Sequence, residues 1–227
     1  MSGDAKLMIF DLDGTLVDSN RDLIPALNKA TETEGLPPIA MEDVGHVVGK
    51  GALQMIARSF EFHGRELEFG GDTHKRLFQL FLDYYEDHVA DETVFFPGTL
   101  RALDDLSAGG WQLAVCTNKF EGLARKLLSE LGEAERFPVI TGGDTFAVKK
   151  PEAGHLTETA RLANVAPDRC VMVGDSINDI AAAKAANMPV IAVDFGYTDV
   201  PVSELDPDVV ISHFDELPAA VSSLVKF

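Results

Sequence analysis

Apolar and polar positions along the 227-residue chain fall into two rhythms. Near the start, Leu7 to Phe10 is a short unbroken apolar run ended by acids and a glycine, the pattern of a strand buried on both faces of a parallel sheet. From Asp18 to about Asp91 the spacing is helical. Leu23, Ile24, Leu27 and Ala30 share one face, as do Leu53, Ile56, Ala57 and Phe60, and then Leu77, Leu80, Phe81 and Tyr84. Gly-Leu-Pro-Pro at 35–38 and the pair Gly70-Gly71 break this stretch into three or four helices. After Pro97-Gly98, apolar runs at 113–116, 139–141, 170–173, 190–193 and 209–211 alternate with helical stretches near 99–108, 120–131, 152–164, 177–186 and 214–225. Such alternation, with right-handed crossovers, builds a mostly parallel sheet. The expected architecture is α/β: a core from 1–16 and 93–227, with a helical domain inserted over 17–92. The segment 195–207, rich in Asp and Pro, reads as a long surface loop without chemistry.

Composition narrows the class. At 46% apolar the chain can bury a sizeable core, yet no apolar run reaches the ~18 residues of a membrane helix. No secretory pattern follows Met1, so the expectation is a soluble, cytoplasmic protein, a monomer or homodimer, with no membrane partner. A net charge of −18 argues against nucleic acid, whose phosphates need a basic surface. Any anionic ligand must be received by positive charge close at hand. Cys116 and Cys170 each sit in an apolar run, which reads as buried, reduced thiols.

Candidate chemistry gathers at the ends of the strand runs, where open α/β sheets bind their ligands. The first run delivers Asp11 and Asp13. Like charges ~4 Å apart repel by about 4 kcal/mol at an effective dielectric near 20, and a bound cation would offset this. The second run ends in Thr117 and Asn118. Asn118 with Glu121 suits a capping box, while a hydroxyl beside free helix amides suits an anion, and both readings stand. Lys150 precedes Pro151, which fits the first position of the next helix, so Lys150 takes the cap, a place lysine disfavours. Either it extends into solvent or it is placed there for function. The fourth run ends in Gly174-Asp175-Ser176, with Asp179 beyond. Ser176 and Asp179 match a capping box and Asp175 is left without a structural task. If the first and fourth strands are neighbours, Asp175 joins Asp11 and Asp13. A few carboxylates with phosphate and water suit Mg²⁺.

Assembled, these residues resemble the four signatures of the haloacid dehalogenase superfamily of phosphohydrolases: Asp11-Leu12-Asp13-Gly14-Thr15, Thr117-Asn118, Lys150-Pro151, and Gly174-Asp175-Ser176 with Asp179. Within it, DLDGTLVDS near the start, GGDTFAVKKP at 142–151 and VGDSINDIAAAKAA at 173–186 are similar to phosphoglycolate phosphatases. The resemblance implies a Rossmann-like core with an inserted α-helical cap domain that selects the substrate. It implies Asp11 as nucleophile, giving an aspartyl phosphate, and Asp13 as the acid and then base. It further implies Mg²⁺ on Asp11, Asp175 and the backbone carbonyl of Asp13, with Lys150, Thr117 and Asn118 on the phosphoryl oxygens. Asp179 and Ser176 rank behind these, as capping or supporting groups. Gly49-Lys50-Gly51 resembles the cap's specificity loop, with Lys50 pairing with the carboxylate of 2-phosphoglycolate; the other reading is a turn with an exposed lysine.

The implied substrate is a small anionic phosphomonoester, 2-phosphoglycolate first. The rivals are a broad-specificity sugar-phosphate or nucleotide phosphatase, a phosphoglucomutase and a phosphonoacetaldehyde hydrolase. Asp13 speaks against the last, because carbon-phosphorus cleavage through an imine does not use that acid. From another class, a receiver-type signalling domain also accepts phosphate on Asp, but it lacks the acid two residues on and the helical insert.

Overall fold

The computed structural model describes residues 5–48, 51–198 and 200–225. By contacts the chain divides into two compact units, Met1–Asp18 with Phe95–Phe227, and Ser19–Val94. The divisions fall two residues beyond the expected edges at 16/17 and 92/93.

The chain enters through β1 (Lys6–Phe10), whose Leu7, Met8, Ile9 and Phe10 have no exposed surface. Burying each such side chain is worth about 1.5–3 kcal/mol, so this strand anchors the core. A tight turn over Asp11–Leu16 leads to the two-residue strand β2 (Val17–Asp18).

The second unit is helical: α1 (Asn20–Thr31), α2 (Ala52–Phe62) and α3 (Asp72–Asp87), with 3₁₀ turns at Glu32–Glu34 and Met41–His46. Leu23, Ile24, Leu27 and Ala30 of α1 are buried as their spacing predicts. On α3 the buried stripe is His74, Leu77, Phe81 and Tyr85, where the apolar pattern suggested Leu80 and Tyr84. His74 can be interior because both ring nitrogens are satisfied, Nδ1 by the Gly70 N–H at 2.8 Å and Nε2 by the Leu53 carbonyl at 2.8 Å. Asn28 clamps Ile39, donating to its carbonyl at 3.0 Å and accepting its N–H at 2.8 Å. Buried Asp22 fastens the returning chain, accepting the Thr93 N–H at 2.8 Å, the Thr93 hydroxyl at 2.6 Å and the Glu92 N–H at 3.1 Å.

After β3 (Val94–Phe95) strands and helices alternate: α4 (Thr99–Ala108), β4 (Trp111–Cys116), α5 (Glu121–Glu130), β5 (Val139–Thr141), α6 (Ala153–Leu162), β6 (Cys170–Gly174), α7 (Ile177–Ala185), β7 (Val190–Val193), β8 (Val209–Ile211) and α8 (Leu217–Leu224). The six core strands form one sheet in the order β5-β4-β1-β6-β7-β8, every pair parallel. Alternate residues of β1 face opposite sides. Leu7 and Ile9 pack with Cys116, Leu156, Ala160, Met172 and Ile180. Both cysteines are free and buried. No helix among the described residues is long and apolar enough to cross a membrane.

This order fixes where chemistry can occur. The chain steps from β1 to β4 and β5 on one side, then crosses to β6 on the other, so the order reverses around β1 and a crevice opens at the strand ends. Phe10 is in register with Val115 of β4 and Val173 of β6, which brings Asp11, Thr117 and Asp175 to one edge.

Replacing Asp22 with Ala leaves the Thr93 and Glu92 donors without their acceptor. The Asp22→Ala protein should lose roughly 2–3 kcal/mol of stability in thermal or urea melts. An unchanged midpoint would mean that the returning chain is held by other contacts.

Candidate active site

Buried Lys150 organises the sheet edge. It is only 2% exposed, and its ammonium lies 2.8 Å from Asp11 Oδ1 and donates to Asp179 Oδ1 at 2.6 Å. The residue is not a helix cap. α6 starts at Ala153 with extended Glu152 before it, and the Glu152 N–H donates to the Lys149 carbonyl at 2.9 Å, closing a turn around a cis Lys150–Pro151 peptide. Lysine therefore escapes the unfavourable helix end and points inward to two acids.

Three side chains hold this turn. Asn118 Nδ2 donates to the Lys150 carbonyl at 2.9 Å. The Lys150 N–H donates to His155 Nδ1 at 3.2 Å, from the first turn of α6. Asp179 takes Lys150 on one oxygen and, on the other, the Ser176 N–H at 3.0 Å and the Ser176 hydroxyl at 2.6 Å. The capping box at Ser176 and Asp179 is thus present, and its acid also serves the lysine. No such box forms at Asn118 and Glu121. α5 begins at Glu121, whose N–H donates to Asp144 Oδ1 at 2.8 Å, because the 142–145 loop folds over that helix end.

Asp175 shares the edge and is 2% exposed. Its oxygens accept the Thr15 hydroxyl at 2.9 Å and the Tyr197 N–H at 2.7 Å. The expectation for 195–207 needs correction here: this loop is part of the site. Tyr197 also donates its hydroxyl to Asp18 Oδ1 at 2.6 Å, and Phe195 packs against Phe96 and Phe214. Gly196 lies so close that a Cβ there would overlap the Asp175 side chain. Gly14 combines a φ of +81° with a position where a Cβ would meet Asp175 Oδ2 at 2.5 Å. Both glycines let the backbone close around the carboxylate.

Asp13, two residues beyond Asp11, is paired with Lys119, whose ammonium donates to both carboxylate oxygens at 2.8 and 2.9 Å. The motif reading gave Lys119 no role, since nothing local links positions so far apart in sequence. Thr117 is buried, its hydroxyl accepting the Lys119 N–H at 3.1 Å. Buried Asn118 Oδ1 has no hydrogen-bond partner. Of the proposed cap residues, Gly49 and Lys50 lie outside the described residues, and Gly51 is an exposed residue with φ +83° that precedes α2.

The electrostatics are those of a crowded acid cluster. Burial, then repulsion from Asp179, pushes the Asp11 carboxyl up to about 6 despite Lys150. Asp175 is pushed up to about 8, by burial and then by Asp179 and Asp11. Burial disfavours the Lys150 ammonium, but the pull of Asp11 and Asp179 outweighs it and holds its pKa above the usual lysine value. Asp11, Asp175 and Asp179 each place an oxygen within 4.8 Å of the others. When all are ionised, Asp11, Asp13, Asp175 and Asp179 outnumber Lys119 and Lys150 by two charges. Hard oxygen donors with that excess fit a divalent cation such as Mg²⁺. Both Asp179 oxygens are engaged by Lys150 and Ser176, which leaves Asp11 and Asp175 as the carboxylates best placed to hold it.

Three comparisons bear on this arrangement. Residues 8–193 match the model of the haloacid dehalogenase-like hydrolase family. The chain is 48% identical over 221 residues to a phosphoglycolate phosphatase of Agrobacterium fabrum, covering 97% of this chain and 94% of that protein. It is 44% identical over 211 residues to a phosphoglycolate phosphatase of Mesorhizobium japonicum, covering 93% and 92%. A crystal structure described as a predicted phosphoglycolate phosphatase from Haemophilus somnus superposes with a TM-score of 0.87 at 29% identity, covering 97% of this chain and all of that one.

His155 yields a pH prediction. Burial, then the nearby Lys150 charge, pushes its imidazole down to about 4, against about 6.5 in an unfolded chain. The neutral ring accepts the Lys150 N–H, and a protonated one cannot. Its contribution to stability is therefore full above pH 6.5 and is lost as pH falls toward 4, because only the unfolded chain takes up the proton in that window. Asn at 155 can present an oxygen where Nδ1 stood but does not titrate. Between pH 7 and pH 5 the wild type should lose roughly 2 kcal/mol relative to His155→Asn in unfolding experiments. A pH-independent difference would contradict this.

Proposed function

The chain belongs to the haloacid dehalogenase-like hydrolase family, and from that membership we propose that it hydrolyses phosphomonoesters through an aspartyl phosphate on Asp11. One observation carries the proposal: Lys150 bridges Asp11 and Asp179 while a second carboxylate, Asp13, stands two residues on at the same strand end. A lone nucleophilic acid could be phosphorylated. An adjacent acid on the same loop makes turnover possible.

Asp11, ionised for the most part at neutral pH, attacks phosphorus, and the ester oxygen leaves as its bond to phosphorus breaks. Asp13 gives that oxygen a proton, then takes one from the water that attacks the aspartyl phosphate and frees Asp11. Lys150 fixes the attacking carboxylate in direction and sets a positive charge against the oxygens of the transferring group. The Thr117 hydroxyl and an Asn118 amide hydrogen complete the grip, Asn118 also holding the lysine turn. Asp179 and Ser176 position Lys150. Asp11, Asp175 and the backbone carbonyl of Asp13 would hold Mg²⁺, which when bound neutralises charge on carboxylates and phosphoryl oxygens alike.

For the substrate, the reading is 2-phosphoglycolate. It is supported by relatives of that name at 48% and 44% identity over nearly the whole chain. The Ser19–Val94 unit would act as the cap domain, with Gly49, Lys50 and Gly51 as its substrate-selecting residues.

Two measurements test this. Asp11→Asn should reduce turnover at least a thousandfold while the protein still folds, since the amide keeps the shape and Lys150 keeps Asp179 but the amide is not a nucleophile; retained turnover would assign the chemistry to another acid. In a panel of phosphomonoesters with Mg²⁺, 2-phosphoglycolate should have the highest kcat/KM. A hexose phosphate or nucleotide ranking above it would overturn the substrate and leave the mechanism standing.

A further inference from the structure

Lys119 is unusual among the lysines of this acidic chain. Its side chain is 6% exposed and its ammonium lies against both oxygens of Asp13, which is itself 21% exposed. The backbone beneath is pinned on both sides: its N–H donates to the Thr117 hydroxyl at 3.1 Å, and its carbonyl accepts the Gly143 N–H at 2.8 Å. A lysine so anchored is aimed at its target.

The position has a consequence that rests on the proposed mechanism. If Asp13 protonates the ester oxygen, that oxygen must come within hydrogen-bond reach of the Asp13 carboxylate. Lys119 sits one hydrogen bond from the same carboxylate, so an ester oxygen that reaches Asp13 would bring the first atoms beyond it toward that ammonium. In a phosphorylated short α-hydroxy acid, those atoms carry a carboxylate. Such a group must enter a site crowded with the acids Asp11, Asp175 and Asp179, inside a protein whose net charge is −18. An ammonium held beside Asp13 offsets the field of those acids and offers the carboxylate a local attraction.

We propose that Lys119 is a specificity-determining residue of the core, receiving the carboxylate of a leaving group that carries its charge next to the ester oxygen. The substrate class is then the phosphomonoesters of short α-hydroxy acids, selected by the catalytic unit itself. Neutral alcohols of the same length lack the group that Lys119 meets.

The experiment compares 2-phosphoglycolate with ethyl phosphate, which keeps the two-carbon skeleton and loses the carboxylate, for the wild type, Lys119→Gln and Lys119→Arg. Lys119→Gln should lower kcat/KM for 2-phosphoglycolate at least tenfold more than for ethyl phosphate, with most of the difference in KM. Lys119→Arg, which keeps the charge, should retain most of the selectivity. Because the readout is a ratio within each variant, partial loss of folded protein cancels. Equal losses on both esters would overturn this inference alone, leaving Lys119 as a partner of Asp13 only. A wild type that hydrolyses neither ester would overturn the phosphatase reading and this inference with it.

Discussion

The contact on which the site depends is the buried ammonium of Lys150 between Asp11 and Asp179. Desolvating a charge is expensive, and a lysine this enclosed is tolerated only because two carboxylates meet it. The reverse also holds. Asp11 and Asp179 would repel each other without it, and even with it Asp11 and Asp175 keep raised pKa values. One lysine compensates part of the cluster, and the remainder is negative charge that a cation can satisfy.

The sheet makes this arrangement affordable. Parallel strands in register deliver Asp11, Thr117 and Asp175 to one edge without a long loop having to be ordered for each. The supporting contacts come from turns tied to rigid elements: Asn118 at the end of β4, His155 on α6 and Ser176 with Asp179 at the start of α7. The loop through Tyr197 then closes over Asp175, with Gly14 and Gly196 leaving room for it. Each acid is therefore aimed by something that packs elsewhere in the core.

Much of this was legible in the sequence, for physical reasons. Strands buried on both faces show as unbroken apolar runs, and the expected runs at 139–141, 190–193 and 209–211 coincide with β5, β7 and β8. What escaped was carried by groups that residue types do not display. Tyr197 reaches Asp175 through its backbone N–H, so an Asp- and Pro-rich stretch concealed a structural role. Lys119 and Asp13 meet across 106 positions of sequence. His74 lies outside the apolar pattern of its helix and is interior because both its nitrogens are bonded. A lysine before proline suggested a helix start, whereas the chain makes a turn there and enters the helix two residues later.

The acid cluster at the sheet edge fits a divalent cation, and binding of that cation is the most direct test. Calorimetric titration of Mg²⁺ at pH 7, in two buffers of different ionisation enthalpy, measures both affinity and proton release. With Asp175 pushed up to about 8, one saturable site per chain is expected, with release of about one proton on binding and loss of the site in Asp175→Asn. No saturable binding, or binding unchanged in Asp175→Asn, would contradict that expectation.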